Sequence, residues 1–134
     1  MEGHIFISKL DAAKRQLEIA IRLFLNNEDP ISIHTLSAAS HTILRDLCRK
    51  QGKESTLKDV MIKRTKPEKK DEVVKMFNEA ENFFKHANKD PDQLLKFHPE
   101  ETEWFLWDVG KMYIELTKDY PPIVKVFLVW FHSK

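Results

Sequence analysis

The chain is poor in the residues that cross-link, turn or cradle. One cysteine in 134 residues leaves no intrachain disulfide, and a reducing, cytoplasmic setting is expected. That residue, Cys48, falls mid-helix beside Leu47 and reads as a small, partly buried side chain rather than a nucleophile. The three glycines, Gly3, Gly52 and Gly110, are too scattered to build a phosphate-binding loop. No cysteine or histidine cluster has structural zinc spacing, so neither metal nor cofactor is expected. Long apolar runs are missing too. Ile123–Phe131 contains Lys125 and falls far short of the ~20 residues that span a bilayer, so no membrane partner is expected. Met1–Ile7 carries no basic, apolar leader pattern.

Charge is abundant and nearly balanced, with 22 basic and 21 acidic side chains. It is unevenly placed: residues 1–70 carry a net +5 and residues 71–134 a net −4. Such a dipolar chain suits head-to-tail association or an anionic partner on one face, and equally an unevenly charged solvated surface. The length suits one domain, 1–134, with a core of its own.

Periodicity argues for helices throughout. Ser8 with Asp11 forms a capping pattern, Ile7 is available as a staple, and Leu10, Ala13, Leu17, Ile21 and Phe24 recur at helical spacing. The first helix is read as Lys9–Leu25. Asp29-Pro30 opens the second, with Ile33, Leu36, Ser40, Ile43 and Leu47 as its stripe and Gly52 as its stop. The small residues Ser37–Ser40 let another helix approach closely, and the short connection predicts an antiparallel hairpin.

Between Lys53 and Lys70 the pattern weakens. A short helix capped by Ser55 or Thr56 is expected around Leu57–Arg64, then a mobile basic connection around Pro67. A helix from about Glu68 to Asn88 follows, stopped by Asp90-Pro91. The next, opening near His98-Pro99, is apolar enough to be central. Ile123–Phe131 reads as helix or extended chain. The expected architecture is an all-α bundle of four main helices plus one or two short ones.

Candidate chemistry concentrates in Asn82, Lys85 and His86, beside Phe83 and Phe84. On a continuing helix Asn82 lies one turn before His86 and Asp90 one turn after, an arrangement that orients an imidazole for acid–base work or anion binding. The competing reading makes Asn82 and His86 a helix end, with the imidazole near the C-terminal dipole. His34, His41 and Arg45 share a face of the second helix and form a weaker candidate groove. The alternative is surface or satisfied, partly buried histidines. His98 with Glu101 has metal-pair spacing, but the acidic first turn of a helix explains it better. Trp104 and Trp107 read as core or interface aromatics, and the 63–70 lysine run as solvated chain more than as a phosphate contact.

Leu10–Leu17, Ala20–Phe24, Asp29–Leu36 and Asn82-Phe83-Phe84-Lys85-His86-Ala87 with Asp90-Pro91 together resemble a family of small bacterial HEPN-like (higher eukaryote and prokaryote nucleotide-binding) proteins. The resemblance implies a HEPN-like helical bundle that commonly dimerises. Many HEPN domains are metal-independent ribonucleases of toxin–antitoxin or phage-defence systems, and others are non-catalytic. The active type carries an arginine, then often a polar residue, then a histidine on a late helix. Asn82 and His86 match the latter two. Glu81 stands in the arginine's place, and no arginine in the chain precedes a histidine at the required distance. A carboxylate there reverses the charge that would face a phosphate.

The expectation is therefore a homodimeric binding or regulatory module for nucleotide or RNA with a degenerate motif. An active ribonuclease using His86 and a substitute lysine is the first alternative. The second is a structural protein whose Trp/Phe-rich C-terminal half docks a partner protein or a second copy.

Overall fold

The first capping expectation describes the actual chain entry: Ser8 Oγ accepts from the Asp11 N–H at 3.0 Å. The computed structural model describes residues 2–54 and 57–134. From that cap α1 runs Lys9–Leu25, and α2 follows as Pro30–Lys50, opened by Asp29, whose side chain accepts from the Ser32 N–H at 3.0 Å. Short α3 is Lys58–Arg64, a 3-10 turn covers Pro67–Lys69, and α4 is Lys70–Lys85. The last two helices are α5, Glu100–Thr117, and α6, Pro122–Ser133. Among the described residues there is no strand, and no helix is long and apolar enough to cross a membrane.

The α1–α2 hairpin and α5 form the centre, with α6 laid against α1 and α5 and α4 against α2. Leu17, Ile21, Leu44, Leu106, Val109, Met112, Val124 and Phe127 fill the space between them, all essentially without solvent contact. Burying a large aliphatic or aromatic side chain contributes about 1.5–3 kcal/mol, so this set drives assembly of the bundle. Small residues set the closest approaches. Ser40 Oγ donates to the Ala13 carbonyl at 2.8 Å, so the hydroxyl is satisfied where α1 meets α2. On α5, a methyl group at Gly110 would sit 3.3 Å from Val124 Cγ1, which is why α6 can lie so close.

Some expectations change, and others fall where the described residues do not reach. The wholly buried face of α2 is not the aliphatic stripe alone: His34, Ser37, Ala38, His41, Leu44 and Cys48 join Ile33 and Ser40, while Leu36, Ile43 and Leu47 are half-buried. The caps proposed for α3, Ser55 and Thr56, lie outside the described residues. Within them, Asp108 of α5 accepts from the Leu57 N–H at 2.9 Å and the Lys58 N–H at 3.4 Å, closing the helix start from across the bundle. Within the basic stretch 63–70, Lys63 and Arg64 end α3, Pro67–Lys69 form the 3-10 turn and Lys70 opens α4, with Thr65 and Lys66 between them outside any helix.

Finally, α4 ends at Lys85, three residues early. His86 is extended (φ −131°, ψ 141°), and its N–H closes the helix onto the Asn82 carbonyl at 3.1 Å. The chain leaves the helix there and returns to place Phe97 5.2 Å from Phe84, ring centre to ring centre. That packing outweighs one more turn of a helix end rich in asparagine. Asp90, at positive φ, is consequently not one helical turn beyond His86. The final segment, open between helix and strand in sequence, is helical as α6.

Candidate functional site

An open cleft of about 900 Å³ follows α4 and the chain that leaves it. Lys75, Asn78 and Asn82 line it from α4, with Phe83 beside them; His86, just past the helix end, and Asn88, Lys89, Asp90 and Leu95 line it from the chain that follows. Residues 78 and 82 are four apart, so one face of α4 carries both amides, and His86, the first residue beyond the helix, lines the same cleft. Two of the three foremost candidates, Asn82 and His86, therefore share the cleft.

Lys85 does not. Its ammonium pairs with Glu81 at 3.0 Å, one turn back, and it is not part of the lining. Glu81 itself is largely buried, with its side chain 13% exposed, and its charge acts on the interior at His34 and Lys58. No arginine lines the cleft.

The weaker candidates, His34, His41 and Arg45, do share one face of α2, but that face is turned into the protein. His41 Nε2–H donates to Asp108 Oδ2 at 2.7 Å, both side chains being 2% exposed. His34 Nδ1 meets Thr102 Oγ1 at 2.9 Å, and its Nε2 has no hydrogen-bond partner among the described residues. The rings of Phe84, Phe97 and Phe105 stand nearly perpendicular to the His34 imidazole at 5.2–5.9 Å. Burial pulls its pKa down to about 4, against the opposing pull of the Glu81 charge, so the ring is neutral at pH 7. Arg45 clasps Asp59 Oδ1 at 2.7 Å, and Arg49 reaches the same oxygen at 3.3 Å. These groups make a structural polar seam joining α2, α3 and α5, not a groove. Cys48 is buried more completely than expected, and burial pushes its thiol pKa up, away from the reactive thiolate.

Three participants were missed. Asp108 was legible as a lone carboxylate in the apolar run Trp104–Val109, a position that demands a buried partner. Asn78 was legible from its spacing to Asn82 and His86. Lys58 had no signal: its buried state comes from α3 docking over α4, which brings Nζ to 2.7 Å from Asn78 Oδ1. Among the described residues no group of three or more histidine, cysteine or acidic side chains could hold a metal ion.

Compared with family models, curated proteins and solved structures, the chain matches none.

Proposed function

We propose that this protein is a non-catalytic binding module whose α4 cleft holds a short stretch of single-stranded RNA or a nucleotide. The observation that carries the reading is Asn78, Asn82 and His86 together in the lining of an open cleft that Lys75, Lys89 and Phe83 also line. Amides and an imidazole bond base edges and ribose hydroxyls, lysines meet phosphates, and an aromatic ring offers a stacking surface. Glu79 and Asp90 also face the cleft, so attraction to the backbone is modest. Without a guanidinium in the lining, nothing there clamps a scissile phosphate bidentately, which supports binding without cleavage. This is consistent with the HEPN-like resemblance and its degenerate motif.

Fluorescence anisotropy with a labelled oligouridylate tests it. Binding is expected, weakened by Asn82→Ala and His86→Ala, with the RNA left intact in the presence of a chelator. Two lysine contacts predict a shallow slope of log K against log salt, about −1.4 for a single strand. Absence of binding sinks the reading. Metal-independent cleavage lost in His86→Ala would replace it with the ribonuclease.

A second reading concerns association. On α6, Val126 and Val129 are 55% and 71% exposed, in line with Pro122 and Ser133 at alternating four- and three-residue spacing. An apolar seam of that period suits the same helix of a second copy, as an isologous dimer.

A further inference from the structure

We infer that Lys58 is a positioning residue for the cleft: it fixes the Asn78 side chain so that its amide NH2 points outward as a donor. The inference rests on the RNA-binding reading of the cleft, and deepens it by assigning the chemistry of the lining at Asn78.

Lys58 is 6% exposed at the start of α3, held there by its own backbone N–H on Asp108. Its Nζ stands 6.0 Å from the Phe77 ring centre and 2.7 Å from Asn78 Oδ1. An ammonium only donates. An asparagine turned the other way would set two donor groups against each other at that distance, so the contact admits one orientation. The carbonyl faces inward to Lys58, and the NH2 is left for the cleft that Asn78 lines. Arg45, Arg49, Asp59 and Glu81 also act electrostatically on Lys58, and burial lowers its pKa. The ammonium, which has no lone pair to accept with, is the form that fixes this orientation. A lining that presents an N–H donor there selects a ligand group that accepts, such as a phosphate or a base carbonyl, over one that donates.

The test uses the full chain, 15N-labelled, with oligouridylate as probe. In wild type the Asn78 side-chain NH2 signals should be distinct and should move on RNA addition. Lys58→Met, close in length and apolar, should collapse them toward freely rotating values and weaken RNA binding about tenfold, the scale of one charge-assisted hydrogen bond. Lys58→Gln keeps a donor and should restore most of both. Asn78→Asp keeps the contact to Lys58 but removes the outward donor; it should leave the fold intact and bind RNA at least as poorly as Lys58→Met.

Asn78 signals indifferent to Lys58→Met overturn the inference, as does wild-type binding by Asn78→Asp. If wild-type protein binds no oligouridylate yet its Asn78 signals collapse in Lys58→Met, the positioning stands and the RNA reading alone fails.

Discussion

His41 and Asp108, 67 residues apart in sequence, meet at 2.7 Å in the interior, and the same carboxylate receives the first backbone N–H groups of α3. One side chain of α5 thus ties α2 and α3 to the centre of the bundle. Removing one member of a buried pair leaves the other unpaired, at a cost of about 3–5 kcal/mol. Asp108→Ala should lower the stability measured by urea unfolding by that amount, and hydrogen exchange at the start of α3 should accelerate. Asp108→Asn, which keeps one acceptor oxygen, should cost less. An unchanged urea midpoint in Asp108→Ala would remove this tie from the account.

His34 makes stability depend on pH. Its folded pKa, about 4, lies below the ordinary 6.5, so the unfolded chain binds a proton that the folded protein refuses. The His34 contribution is complete above pH 6.5, declines as pH falls toward 4, and is level below that. The loss is about 3 kcal/mol over this window. His34→Leu should flatten that part of the stability profile, although it strands Thr102 Oγ1 and lowers stability at pH 7. Glu81→Gln should steepen the profile, because the Glu81 charge favours the imidazolium. Equal pH profiles for wild type and His34→Leu would contradict this.

Gly110 allows α6 to sit close against α5. A branched side chain there collides with Val124, which has no solvent-facing direction in which to yield. Gly110→Val should destabilise by about 1–3 kcal/mol through overpacking. Intrinsic Trp fluorescence should report α6 loosening first, since Trp130 packs on Phe24 at 5.0 Å.

For the α6 seam, Val129→Lys should convert a dimer to a monomer in sedimentation equilibrium without loss of helical circular dichroism. Trp107→Ala and Phe131→Ala are poorer probes. Those two rings stack on each other within one chain at 6.0 Å, so their removal damages the fold as well as any interface. A wild-type protein that sediments as a monomer at high concentration leaves the seam without a second copy.

Local grammar carried most of the architecture. Ser8, Asp29-Pro30 and the apolar spacing of residues 9–47 determine the first two helices from sequence alone, because caps and helical periodicity act within a few residues. The same reading brought Asn82 and His86 to one cleft, although His86 lies just past the end of α4. Tertiary packing decided the rest. In sequence His34 and His41 leave a groove and satisfied, partly buried histidines both open; in the fold they are interior, because Thr102, Asp108 and three phenylalanines arrive from α4, α5 and the loop between them.

The orientation of Asn78 likewise depends on an amine 20 residues earlier. A side chain's helical face follows from nearest neighbours along the chain, whereas its solvent and hydrogen-bond partners are settled only when distant segments close over it.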